Sequence, residues 1–88
     1  MFNNRAYLHE TMHIQRMAGV HKRDVARSHI GTTIDNPFVD YAKLAQGYGV
    51  WAEGPVTDPA QLAGVFRRAL AVVKSGSPAL VDVVCQGA

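Results

Sequence analysis

The stretch Asp58-Pro59-Ala60-Gln61-Leu62-Ala63-Gly64-Val65-Phe66-Arg67-Arg68-Ala69-Leu70-Ala71-Val72-Val73-Lys74 decides the fold, together with Ser75-Gly76-Ser77-Pro78 and Ala79-Leu80-Val81-Asp82-Val83-Val84-Cys85 directly after it. Asp58 is a good N-cap, Pro59 suits the first helical position, and Gln61 stands where a capping box places Glu or Gln. Leu62, Val65, Phe66, Ala69, Leu70 and Val73 recur at helical spacing and form one expected inward stripe. Ser75 to Pro78 stops the helix. The run from Ala79 to Cys85 is short, β-branched and apolar on both faces, as a buried parallel strand requires.

Working back from this unit, Val50-Trp51-Ala52-Glu53 reads as a second strand. It comes after a helix expected from about Asp40 to Tyr48, capped by Asp40, stopped by Gly49, with Leu44, Ala45 and Tyr48 facing inward. Strand, helix, strand with a helix of this length implies parallel pairing and a right-handed crossover. The fold class is therefore α/β: a partial parallel sheet with flanking helices. Met1-Phe2 reads as a strand stub, and Tyr7 to Met17 as a helix. Residues 19–37 are polar and carry turn signals at Gly31-Thr32-Thr33 and Asp35-Asn36-Pro37.

The composition, 48% hydrophobic and 18% charged, is globular. A chain of 88 residues buries only roughly 60–65% of its unfolded surface, so its stability is marginal without help. No apolar run approaches the roughly 20 residues of a membrane span, and the N-terminus lacks a signal-peptide core. The one cysteine, Cys85, cannot form an internal disulfide. These features point to a cytoplasmic protein without membrane contact. Arg16, Lys22, Arg23 and Arg27, with His21 and His29 among them, admit a phosphate- or nucleic-acid-binding patch or a solvated face. The solvated face is the expectation, with no nucleic-acid partner. Trp51 is expected in the core or an interface, and Cys85 as a buried strand residue rather than a nucleophile.

Two motifs compete for the first seventeen residues. His9-Glu10-Thr11-Met12-His13 fits H-E-x-x-H: on a helix, imidazoles four apart share a face, and Glu10 would be the base of a zinc hydrolase. The extended form of that motif is absent, since Arg16 stands where it needs glycine. The second is Asn3-Asn4-Arg5-Ala6-Tyr7, directly after an apolar stub.

Asn3-Asn4 with Tyr7 resembles the close of the thiamine-diphosphate motif, which opens with Gly-Asp-Gly. Asp40-Tyr41-Ala42-Lys43-Leu44-Ala45-Gln46-Gly47-Tyr48-Gly49-Val50 is similar to the next helix in acetolactate synthases and benzoylformate decarboxylases, and the strand from Pro78 to Val83 also fits. The resemblance implies that residues 1–88 are the C-terminal portion of a single, partial thiamine-diphosphate-binding domain. It also implies a thiamine-diphosphate- and Mg²⁺-dependent parent enzyme that makes or breaks a C–C bond of a 2-oxo acid. In that reading Asn4 and the Ala6 carbonyl are metal ligands, Asn4, Ala6 and Tyr7 meet the cofactor, and Glu10 is an acid–base group near the reacting carbon. No Gly-Asp-Gly occurs in the chain. The aspartate ligand is therefore expected upstream of Met1 and the activating glutamate on another domain, so the chain alone is expected to be inactive and to bind the cofactor weakly. A third reading is a non-catalytic α/β module that oligomerises. A homo-oligomer is expected in either case, because a thin sheet leaves apolar surface uncovered.

Overall fold

The computed structural model describes residues 1–86 and divides the chain into two compact units: Met1–Asn3 with Asp40–Cys85, and Asn4–Val39. In the first unit, β1 (Phe2–Asn3), β2 (Trp51–Val56) and β3 (Ala79–Val84) form a three-stranded sheet in the order β1-β3-β2, parallel throughout. This is the expected α/β arrangement, with the Ala79 strand central because it is the most apolar. The second unit contains α1 (Leu8–Val20) and a long loop. Among the described residues no helix is long and apolar enough to cross a membrane.

The two helices of the first unit cover opposite faces of the sheet. On α2 (Tyr41–Gly47), Ala42 and Ala45 are buried against Ala52, with Val50 and Leu80 alongside. On α3 (Leu62–Lys74), Val65 is buried against Val56 and Val81, with Leu62, Ala69 and Trp51 around them. Leu80 and Val81 are neighbours on β3, so their side chains point to opposite faces. Both expected caps form. Asp40 Oδ1 accepts from Lys43 N at 3.0 Å, and Asp58 Oδ1 accepts from Ala60 N at 2.9 Å. Asp58 caps a single 3₁₀ turn, Pro59–Gln61, that leads into α3.

The inward stripes are narrower than periodicity predicts. Phe66, Leu70 and Val73 on α3 are 51–53% exposed, and Leu44 and Tyr48 on α2 are 52% and 80% exposed. A three-stranded sheet offers each helix a narrow floor. The helix residues that join the two apolar clusters are Leu62, Val65 and Ala69 on α3 and Ala42 and Ala45 on α2. Trp51 packs in the core as expected, and Cys85 is half-buried just past the end of β3.

Strand β2 carries a bulge that the sequence pattern does not reveal. Glu53 pairs with Val81 and Val56 with Val83, so Gly54 and Pro55 together face the single residue Asp82. The extra residue shifts the side-chain parity. Val56 thereby lands on the α3 face, the face that Glu53 also occupies. Gly54, at φ 146°, is needed here: a Cβ would lie 2.7 Å from Asp82 Cβ and 2.8 Å from Asp82 O. Asp82 itself has no solvent exposure, and neither carboxylate oxygen has a hydrogen-bond partner among the described residues.

Glu53 reaches across to α3, where Arg68 Nε and Nη2 donate to its two carboxylate oxygens at 2.5 and 2.7 Å. The hydrogen bonds from Arg68, and then its charge, hold the Glu53 carboxyl below its ordinary value of 4.5, and raise Arg68 in turn. Because the Glu53 value is lowered on folding, its stabilisation is complete above the unfolded carboxylate range and is lost as pH falls through the folded value. Arg68→Met should therefore lower stability by a constant amount at neutral pH. The gap to the unmodified chain should close below about pH 4, as followed by urea unfolding across pH.

Two glycine substitutions separate strain from crowding. Gly49, at φ 79°, has open space where its Cβ would go, so Gly49→Ala should cost about 1–2 kcal/mol of backbone strain alone. Gly54→Ala adds overlap with Asp82 and should cost more than about 3 kcal/mol. Equal losses in urea unfolding would refute the packing of Gly54 on Asp82.

Candidate functional site

All the residues singled out for chemistry near the N-terminus, Asn4, Ala6, Tyr7 and Glu10, fall in the second unit. The chain leaves the sheet at Asn3, which is buried, and turns at once. Asn4 Oδ1 accepts from Ala6 N at 3.2 Å, and Arg5 between them is left-handed at φ 57°. An asparagine side chain bonding two residues on is a standard turn former. The left-handed residue is an arginine, and its guanidinium lies 3.8 Å from the centroid of the Phe38 ring, a cation–π contact.

Ala6 then bridges to Thr33 in antiparallel fashion. The flanking bonds are Tyr7 N to Thr32 O and Ile34 N to Arg5 O, both 2.7 Å. Ala6's own N–H and C=O take no part in them and turn to the other edge, because in an extended residue both groups point the same way. Its N–H is the one that meets Asn4 Oδ1. The Asn4 side-chain oxygen and the Ala6 carbonyl therefore lie toward the same edge of the chain. An amide oxygen has two lone pairs, so Asn4 Oδ1 can accept from Ala6 N and still serve a second partner.

These are two hard oxygen donors on a short, well-defined turn, and they suit Mg²⁺ in kind. They do not suit it in number. An octahedral ion wants about six oxygens, and these residues supply two. The residues present thus fit one side of such a site.

Tyr7 is the N-cap residue of α1 and is exposed; its carbonyl accepts from Thr11 N at 3.0 Å. Glu10 lies exposed in the first turn of α1. His9 and His13 are on the same helix, both exposed. Among the described residues no three His, Cys, Asp or Glu side chains come together where they could hold a metal ion. His9 and His13, the two imidazoles of the zinc-hydrolase reading, are thus joined by no third ligand among those residues. Sequence reasoning missed the Ala6–Thr33 bridge, since nothing in a polar loop marks its distant partner.

Residues 1–83 match the family described as thiamine pyrophosphate enzyme, C-terminal TPP binding domain. No solved structure matches the chain at a significant level.

The Asn4 turn generates a direct test. Asn4→Ala removes the acceptor of the Ala6 N–H, and the Ala6 amide should then exchange with solvent about tenfold faster. Asn4→Asp keeps an oxygen in place and should retain the protection. Hydrogen exchange followed by NMR reads both.

Proposed function

The chain belongs to the family of thiamine pyrophosphate enzyme C-terminal TPP-binding domains, and from that premise we propose that it forms the Asn4 side of a thiamine diphosphate–Mg²⁺ site in an enzyme acting on a 2-oxo acid. The parent reaction is cleavage or formation of a C–C bond next to the keto carbon, of the acetolactate synthase or decarboxylase type. The observation that carries this reading is the Asn4–Ala6 turn, which turns two oxygen donors toward one edge immediately after β1. When bound, thiamine diphosphate supplies the electron sink for the bond change, while the protein supplies orientation and electrostatics.

Each residue of the turn has a task in that scheme. Asn4 Oδ1 and the Ala6 carbonyl would hold Mg²⁺, whose charge would neutralise the diphosphate. Tyr7 packs at the entrance. Glu10, in the first turn of α1, holds or passes a proton at the substrate side. The aspartate that completes the metal shell and the glutamate that activates the cofactor lie on segments outside these 88 residues; the absence of Gly-Asp-Gly from the sequence supports this. We place residues 1–88 as the closing portion of one cofactor-binding domain, in a cytoplasmic homo-oligomer. The exposed Phe66, Leu70 and Val73 support the oligomer, since a row of large apolar side chains gains by being covered. The same surface is what a non-catalytic pairing module would show. Cofactor binding separates the two readings.

Calorimetric titration of the chain alone with Mg²⁺ and thiamine diphosphate should show weak binding or none; a tight complex would overturn the division of the site between segments. In the assembly that supplies the aspartate, Asn4→Ala should weaken Mg²⁺-dependent cofactor binding roughly a hundredfold. Unchanged affinity there would remove Asn4 from the site.

A further inference from the structure

The second unit contains a cavity of about 360 Å³ between the later turns of α1 and the loop after it. That volume is at the small end of the range for ligand pockets. Its lining includes the apolar Ile14, Met17 and Ala18, together with Arg23, Arg27 and the imidazoles of His13 and His21. Part of the basic stretch, expected from sequence to be a solvated face, thus lines a concave surface.

Three observations give the cavity a chemical preference. First, its positive charge is not neutralised locally. Asp24 is the one carboxylate in the lining, and its Oδ1 accepts from Ala26 N at 3.0 Å within its own turn. Among the described residues neither Arg23 nor Arg27 forms an ion pair. Second, the loop is fixed to the helix by polar contacts. Gln15 Nε2 donates to Ser28 Oγ at 3.0 Å, Thr11 Oγ1 to Thr32 Oγ1 at 2.6 Å, and Thr32 Oγ1 to the Ser28 carbonyl at 3.2 Å. Ser28 and Thr32 are buried. Arg23 N also donates to Ala18 O at 2.7 Å, which holds the first arginine over the end of α1. Third, methionine and isoleucine side chains left open to solvent beside guanidinium groups suit a ligand with both an apolar body and an anionic head.

We propose that this cavity binds a small amphiphilic anion, an aryl or alkyl phosphate or carboxylate. The head group is held by Arg23 and Arg27, whose guanidiniums present forked donors to such oxygens. The body rests on Ile14, Met17 and Ala18, and His13 and His21 each offer a further ring N–H. The site uses neither the Asn4 turn nor the cofactor, so it stands or falls independently of the reading above.

The test is titration of the chain with phenyl phosphate, followed by amide shifts over residues 13–28. Phenyl phosphate should bind more tightly than either inorganic phosphate or benzyl alcohol. The double variant Arg23→Gln/Arg27→Gln should weaken it at least about tenfold. Lys22→Gln, in the same loop but outside the cavity lining, should leave it unchanged. Met17→Ser should weaken phenyl phosphate and spare inorganic phosphate. Circular dichroism confirms that each variant remains folded. Benzoate in place of phenyl phosphate assigns the head group as carboxylate where it binds more tightly, and as phosphate where it does not. Inorganic phosphate binding as well as phenyl phosphate, or Lys22→Gln weakening it as much as the double variant, would overturn the proposal. So would an oligonucleotide binding more tightly through the same two arginines, since that is the behaviour of a diffuse polyanion face.

Discussion

Strand β3 is the element on which the first unit depends, because it alone is hydrogen-bonded along both edges. It binds β1 on one side and β2 on the other, and it contributes Leu80 to the packing under α2 and Val81 and Val83 to the packing under α3. The chain's first residue is tied to it too: the Met1 amino group donates to Val81 O at 2.8 Å, and Met1 O accepts from Val83 N. The bulge at Gly54-Pro55 is an adjustment of β2 to this strand. Without the extra residue Val56 would turn away from Val65. With it, proline sits on an edge strand at a bulge, where its missing N–H costs least, and glycine stands where the backbone comes closest to Asp82.

The other unit solves a different problem, that of ordering a polar loop without an apolar core. No residue of α1 is buried, and the loop is held by hydroxyl and amide groups: Ser28 and Thr32 take the place that leucine or valine would have in a packed helix pair. Such bonds are directional, so they set the loop's path more sharply than nonspecific apolar contact would. The Asn4–Ala6 turn and the Ala6–Thr33 bridge are ordered in the same way. Both are held by bonds at fixed donor and acceptor atoms rather than by apolar burial.

These differences decide how much of the structure was legible in the sequence. Local chemistry was legible: Asp40 and Asp58 announce their caps, Gly49 its stop, and the β-branched run after Pro78 its central place in a parallel sheet. Asn3-Asn4 with Tyr7, the run from Asp40 to Val50 and the strand from Pro78 to Val83 pointed to the family in combination, and that resemblance suggested Asn4, Ala6, Tyr7 and Glu10. Long-range geometry was not legible. Periodicity marks Phe66, Leu70 and Val73 as apolar, yet only the width of the sheet decides that they remain outside. The partner of Glu53 lies fifteen residues away on α3, and a strand residue does not reveal which helix residue will cover it. Asp82 reads as a polar break in an apolar strand, and nothing in its neighbours says that both its oxygens are buried without partners. Residues 19–37 were opaque because their order comes from side-chain hydrogen bonds, which leave no periodic trace.

The distribution of side-chain sizes carries the argument one step further. Among the described residues the buried apolar ones are Ala42, Ala45, Ala52, Val56, Val65 and Val81, all small, while Phe66, Leu70, Leu44 and Tyr48 lie in solvent. The one side chain among the described residues that is buried completely is a carboxylate, Asp82. Free energy of burial rises with apolar area, so this arrangement leaves much of the available stabilisation unrealised and carries the cost of an unpaired polar group besides. Covering the outer faces of α2 and α3 would recover part of that difference, because burying Phe66, Leu70, Leu44 and Tyr48 removes large apolar area from water.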